Sequence, residues 1–495
     1  MNLVPDTPPK GTVRSWLDAR AEAGGTAFVF CETTESLSWR EVREAALGLA
    51  GYLTTLGIEK GESIAIMHPN GRDGLIALYA VLCGGFRATM INLAAGSDAI
   101  SYALEHSEAR FAFVHADHME AFKAVAPQSI AVLDDGARSD TDLHPLEPAD
   151  HALLMYTSGT TGRPKGVVHT HASLLAGGWT TATAHQLTPQ DRGFCVLPIY
   201  HINGLCVTVL GTLVSGGSLA IFSRFSASNF WDQAGAAKIT WFSVVPTIVS
   251  HLLHNPSEPD DATKARIRFG RSASSALAVE TQTAFEARFG VPIIETMGLT
   301  ETAAQILSNP LPPGQRKIGS PGMAFGNEVR ILASDLTECD PDIEGEIAVR
   351  GPNVMLEYLK NPQATAATFA GDWLRTGDLG RIDKDGYVFV TGRLKELIIK
   401  GGENIAPREI DEALYGHPDV VEAAAFARPC KTYGETVEAA VRLREGSSVV
   451  ATELIEACVL RVGKFKSPDQ VHFMAELPKG PSGKIQRLKL ADILG

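Results

Sequence analysis

Cysteine is scarce in this sequence. Cys31, Cys83, Cys195, Cys206, Cys339, Cys430 and Cys458 stand far apart, their number is odd, and none form a CxxC pair. That spacing argues against a clustered thiolate metal centre and predicts reduced, mostly buried thiols in a cytoplasmic protein. Positive charge is in deficit: 44 Lys and Arg against 57 Asp and Glu leave a net charge of −13. Such a balance disfavours a nucleic-acid binder, although a local basic pocket can still hold an anion. Long apolar runs are missing too. The most apolar stretch, Leu205 to Phe222, is broken by Gly211, Gly216, Gly217 and several hydroxyl residues, so it reads as buried helix and strand rather than a membrane span. The opening residues MNLVPDTPPKGTV lack the apolar core of a secretory signal. Internal repeats and low-complexity tracts are also missing.

What is present is a chain of 495 residues with 45% hydrophobic content, enough for at least two domains and a large core. Short apolar runs alternate with helical patterns: SIAIMH (63–68) before GLIALYAVLCGG, then FAFVHA (111–116), ITWFSVVP (239–246) and VPIIETMG (291–298). This alternation predicts α/β layers with mainly parallel sheet. EGEIAVRG (344–351) and DGYVFVTGR (385–393) read as strands of a smaller β-rich subdomain. After TGRLKELIIKGGENIAPREIDEAL the pattern restarts: an amphipathic helix (Pro407–Leu414), the strands VVEAAAFA and VEAAVRL, and a helix near 451–462. The expected organisation is a large N-terminal α/β domain of several subdomains (1–393) and a small, mobile C-terminal α+β domain (394–495).

YTSGTTGRPKGVVHTH, from Tyr156 to His171, has the composition of a phosphate cradle. Glycines let backbone N–H groups approach an anion, hydroxyls add donors, and a lysine supplies charge. It is not the GxxxxGKS/T loop, because Lys165 follows Gly162 at the wrong spacing and Gly166 replaces the metal-binding hydroxyl. A Ser/Gly turn between strand and helix would explain the stretch taken alone.

The stretch does not stand alone. LPIYHINGL (197–205), GLTE (298–301), TGDLG (376–380), GRLKELIIKGGENIAPREIDE (392–412) and PSGKIQR (481–487) follow it. Together they resemble the adenylate-forming superfamily of acyl-CoA synthetases, luciferases and peptide-synthetase adenylation domains, over nearly the whole chain. The resemblance implies that Thr157, Ser158, Gly159, Thr160, Thr161 and Gly162, with Lys165, embrace the β- and γ-phosphates of ATP. It implies Glu301 as the Mg²⁺-linked carboxylate, Thr300 as a donor to the α-phosphate, Asp378 as the ribose carboxylate and Arg393 as its helper. Ser274, Ser275, Ala276, Met297 and Gly298 complete the expected nucleotide site, with Met297 where many relatives put an aromatic ring. Lys484 resembles the lysine that bridges the reacting carboxylate and the α-phosphate. Lys395 resembles the hinge position. Lys400, Gly401, Gly402 and Glu403, with Lys464 and Lys466, are the expected contacts to coenzyme A.

The reaction so implied joins a carboxylate to the α-phosphate of ATP and then passes the acyl group to a thiol. Its obstacle is repulsion between two anions, which cations and oriented donors must offset where charge develops. RIRFGRSASSALAVE and TETAAQILSNPLPPGQRKIGSPG look like the oxalate-activating branch, which implies a small, very polar acid. His201, Asn203, Ser274, Ser275, Gly298 and Gln305 are the expected acyl pocket, and His201 is also an expected catalytic residue. Gln305 stands where oxalate-activating relatives usually carry a histidine, so sulfoacetate or malonate fits as well as oxalate. The expected partners are ATP, CoA and a small carboxylic acid, with no nucleic acid and no integral membrane segment, the chain acting as monomer or homodimer. An aryl or medium-chain acid ligase, a partner that loads a separate carrier protein, and a non-catalytic homologue remain alternatives.

Overall fold

The structure, a computed structural model, describes residues 6–157, 164–480 and 483–495. Two sheets form the bulk of the N-terminal part. In the first, strands Ala131–Val132, Phe111–Val114, Ser63–Met67, Arg87–Met90 and His151–Thr157 run parallel, and Lys165–Thr170 and Glu357–Tyr358 add antiparallel pairs. Ser63–Met67 and Arg87–Met90 are buried along their whole length, as central strands covered on both faces should be. In the second sheet, Thr26–Phe30, Ser218–Ile221, Arg192–Cys195, Trp241–Val244, Phe269–Ser272 and Ile293–Leu299 are successive parallel neighbours. Antiparallel strands close both of its ends.

Helices fill the space between these layers. Arg72–Gly84 is buried from Gly74 onward, and His171–Ala184 is buried on nearly every side. One continuous core joins Ile64, Leu153 and Met155 of the first sheet to Phe28, Leu219 and Trp241 of the second through Leu78, Leu82 and Leu175. Thr170 caps the second helix with a reciprocal box to Ser173, which fixes where the strand carrying Lys165 turns into helix. The apolar stretch after Leu205 becomes a π-helix (Asn203–Leu210), a short α-helix (Gly211–Ser215) and a strand (Ser218–Ile221), all buried. No helix among the described residues is long and apolar enough to cross a membrane. All seven cysteines are unpaired, and Cys83, Cys195, Cys206 and Cys458 are buried.

A third, antiparallel sheet contains Glu328–Leu332, Gly345–Arg350, Trp373–Ile382 and Val388–Arg393 around Ile331, Ile347, Val349 and Val388. The fourth sheet begins at Ile398 and centres on the long antiparallel pair Val420–Cys430 and Gly434–Leu443. Helices Pro407–Tyr415 and Ala451–Lys466 pack on it over Ile410, Leu414, Leu454 and Cys458. Helix Pro246–His254 contacts this last unit: Ser250 Oγ donates to Val421 O at 2.7 Å, and His251 Nε2 lies 3.0 Å from Glu422 Oε1.

Candidate active site

The segment GLTETAAQ turns sharply. Strand Ile293–Leu299 passes through a single 3₁₀ turn, Thr300–Thr302, into the antiparallel strand Ala304–Ser308. Ala303 and Ala304 hold φ values of 43° and 80°, left-handed conformations that side-chain-bearing residues adopt at a cost. A Cβ on Gly298 would lie 1.5 Å from Ala304 O, so only glycine lets the strands close here. Thr302 Oγ1 accepts from Leu299 N at 3.0 Å and lies 2.9 Å from Ala304 O. Asn353 Nδ2 donates to Thr302 O and Gln305 O at 2.7 and 3.0 Å. His169 Nε2 lies 2.7 Å from Thr300 O; burial pushes its pKa down to about 4, so the neutral ring donates there at pH 7.

This frame sets out Glu301. Its Oε1 accepts from the Tyr358 hydroxyl at 2.8 Å, and its Oε2 bonds to no described residue. The Lys165 ammonium sits 3.7 Å from the centre of the Tyr358 ring. Burial lowers the Lys165 pKa, and Glu301 partly offsets that. Thr157 and Lys165 are register partners at the two ends of the hydroxyl-rich loop. Ser158, Gly159, Thr160, Thr161 and Gly162 lie outside the described residues.

Asp378 and Arg393 face each other across neighbouring strands, with Arg393 Nε 2.8 Å from Asp378 Oδ1. Burial raises the Asp378 pKa, while Arg393 and Lys484 pull it back. Lys484 comes to this pair from the C-terminal unit, its Nζ 3.9 Å from Glu396 Oε1. Burial and the nearby Arg393 lower the Lys484 pKa. Glu396 also lies 3.4 Å from Arg487 Nε; against the opposing effect of burial, Lys484, Arg487 and Arg393 hold this carboxyl below its ordinary range.

A third polar group lies at the C-terminal ends of the parallel strands, the usual place for a ligand in an α/β sheet. Arg271 is 1% exposed in strand Phe269–Ser272. Its Nη1 donates to Asn203 Oδ1 at 2.7 Å and to Ser243 Oγ at 3.1 Å, and its Nε to Gln305 Oε1 at 3.3 Å. Gln305 Nε2 reaches Thr180 O, so this amide is wholly buried between the two. Asn203, the first residue of the π-helix, donates from Nδ2 to Ser274 Oγ at 3.1 Å. Ser274 is exposed and has φ of 78°. Gly204 is required at this bend, because a Cβ there would lie 2.2 Å from Pro198 O.

The structure thus brings together Thr300, Glu301 and Lys165; Asp378, Arg393 and Lys484; and Asn203, Ser274 and Gln305. His201 is half-buried at the mouth of the π-helix, its ring 5.0 Å from that of Tyr200. Ser275 is half-buried, Ala276 is exposed, and Met297 is half-buried against the core of the third sheet. Lys395 is exposed on the short connection between the third and fourth sheets. The CoA candidates keep to the C-terminal unit: Lys400 Nζ lies 3.6 Å from Asp469, Gly401 N donates to Tyr433 O, and Lys466 pairs with Glu409 at 2.8 Å. Gly402, Glu403 and Lys464 are exposed.

The motifs assign no role to four residues of this geometry, His169, Tyr358, Glu396 and Arg271, although His169, Glu396 and Arg271 lie inside the quoted stretches. Tyr358 is 57 positions from the carboxylate it touches, and no local pattern links them. Arg271 did carry a signal, as a lone charge inside a strand whose neighbours Phe269, Gly270 and Ser272 are all buried.

A family model described as AMP-binding enzyme matches residues 16–359, and one described as AMP-binding enzyme C-terminal domain matches residues 409–484. The chain is 45% identical over 450 residues to a sulfoacetate–CoA ligase of Cupriavidus necator, covering 88% of each. It is 35% identical over 452 residues to an oxalate–CoA ligase of Arabidopsis thaliana, covering 87% of this chain and 88% of that one. Among solved structures, ATP-bound MatB from Rhodopseudomonas palustris superposes with a TM-score of 0.90 at 28% identity, over 98% of this chain and all of that one. The chain belongs to the AMP-binding enzyme family, and it is an AMP-forming carboxylate–CoA ligase that works with ATP, Mg²⁺ and coenzyme A.

Proposed function

We propose that the acid this enzyme activates is short and carries a second anionic group, as sulfoacetate, malonate and oxalate do. The observation that carries the reading is the polar group Ser274–Asn203–Gln305 around Arg271, at strand ends where an aryl or medium-chain acid would need an apolar wall. The names of the sulfoacetate– and oxalate–CoA ligase relatives support it.

The proposed roles follow from charge. Lys165 and the hydroxyls between Thr157 and Gly162 bind the outer phosphates. Thr300, held by His169, donates to the α-phosphate. Asp378, steadied by Arg393, accepts from the ribose hydroxyls. Glu301 fits a Mg²⁺ ion, since one of its oxygens is held by Tyr358 and the other is uncommitted among the described residues; Mg²⁺ bound beside phosphates takes one or two carboxylates and keeps several waters. When bound, that ion neutralises charge on the phosphates. Lys484 lies between the incoming carboxylate and the α-phosphate and lowers their repulsion as a carboxylate oxygen bonds to phosphorus and diphosphate leaves. The thiol of CoA then attacks the acyl carbon and AMP departs. For that step we propose units 1–393 and 394–495 that turn about Lys395, carrying Lys400–Glu403 towards the thiol, with Lys464 and Lys466 near the phosphates of CoA.

Mass spectrometry of acyl-CoA products across a panel of acids tests this reading. Sulfoacetate, malonate or oxalate should give a thioester with AMP and diphosphate. Preference for benzoate or octanoate would overturn it.

A further inference from the structure

A buried cation normally stands beside a carboxylate, because an unpaired charge in the protein interior is costly. Arg271 breaks that rule. Its hydrogen-bond partners are Asn203, Ser243 and Gln305, all neutral, and no carboxylate of a described residue forms an ion pair with it. Its titratable neighbours do not compensate. Burial pushes the Cys206 thiol well above its ordinary range and His185 down to about 3, so both are uncharged at neutral pH. Burial also draws the guanidinium down, but only to about 9, so it remains a cation. Nη2 donates to no described residue, and Asn203 links the group to the exposed Ser274. The fold therefore fixes the plane of a desolvated guanidinium and leaves its charge unanswered.

We propose that Arg271 is the counter-ion for the second anionic group of the acid, and so the residue that selects sulfonate- or carboxylate-bearing acids over uncharged isosteres. This rests on the reading of the substrate given above and assigns its selectivity to one side chain. Asn203 and Gln305 act as positioning residues that hold the guanidinium. Nη2 keeps its N–H donors uncommitted among the described residues, and such a charged donor can bond an oxygen of either a carboxylate or a sulfonate, which explains how one site can serve either chemistry.

The experiment compares kcat/KM for malonate against its monoamide, malonamate, and for sulfoacetate against its sulfonamide. The wild type is measured first. A wild type that favours the uncharged isosteres contradicts the substrate reading itself. If the wild type favours the dianions, the variants test Arg271 alone. Arg271→Gln should cut the dianion-to-monoanion ratio by about 100-fold or more, as expected when one member of a buried charge pair is removed. Arg271→Lys should restore part of the ratio, since it keeps the charge. Gln305→Glu keeps Arg271 and gives it an internal carboxylate at the position now 3.3 Å from Nε; it should collapse the ratio while the protein stays folded by its melting curve. That variant decides the matter if Arg271→Gln does not fold. A ratio unchanged within about threefold, less than one kcal/mol, in folded Gln305→Glu or Arg271→Gln would overturn the proposal.

Discussion

Lys484 reaches the Asp378–Arg393 pair from a different unit and brings a positive charge to a place that already holds one. Burial and the neighbouring Arg393 lower its pKa, and Glu396 pulls it back up. In the role proposed for Lys484, bridging two anions requires the protonated form, so adenylation should fall as pH rises through a value below the ordinary lysine value of 10.5. Glu396→Gln should move that alkaline limb lower still; a limb that stays fixed in a pH profile of diphosphate exchange would exclude the coupling. Lys484→Ala should abolish adenylation yet spare thioester formation from a supplied acyl-adenylate, and equal loss of both half-reactions would contradict the role. Tyr358→Phe removes a hydrogen bond to a charged group, an interaction of about 1.5–3 kcal/mol, and should raise the KM for Mg·ATP by about tenfold or more. At this scale the sequence offers candidates where a residue sits in a dense local pattern, as Thr300, Glu301, Asp378 and Lys484 do. It was silent on His169 and Tyr358, because a contact between distant segments leaves no spacing to read.

The element that matters most is the turn between strands Ile293–Leu299 and Ala304–Ser308. Its geometry depends on a glycine against a carbonyl, two left-handed alanines, the turn's own Thr302 side chain, and two side chains that bond its backbone from outside, Asn353 and His169. Gly298→Ala should force the strands apart and lose most activity while the bulk of the fold survives; near-wild-type kcat/KM in that variant would mean the turn tolerates rearrangement. The apolar runs at 63–68, 239–246 and 291–298 mark buried strands, and periodicity sufficed for them. Strand Trp373–Ile382 was harder to see, since Gly377, Asp378 and Gly380 interrupt the pattern, and Gly377 takes φ of 74° to place Asp378. The π-helical winding of Asn203–Leu210 was not legible either, because a shift of one hydrogen-bond position does not alter which residues are apolar.

For the whole molecule, acid is the sensitive direction. Burial pushes His68, His169 and His171 down to about 4 and His185 to about 3. The unfolded chain binds these protons near the reference value of 6.5, so each histidine stabilises the fold above that pH and loses its contribution as pH falls towards 4. Glu422, at the contact between the two units, is held at about 2 by His251 and Lys479 against the effect of its own burial. Its share is present above 4.5 and is lost as pH falls towards 2. Melting temperature should therefore decline steadily below pH 6.5, and a flat profile down to pH 4 would show that the buried histidines do not stay neutral. Glu422→Gln should loosen the C-terminal unit in this arrangement, visible as faster hydrogen exchange in helix Pro246–His254.

The central claim is that this geometry joins a small dianionic acid to AMP. Exchange of labelled diphosphate into ATP, measured with purified enzyme, Mg²⁺ and one acid at a time, tests it most directly. Sulfoacetate, malonate or oxalate should support rapid exchange that malonamate and octanoate do not match. Exchange driven best by an uncharged-tail acid, or by no acid at all, would contradict the account.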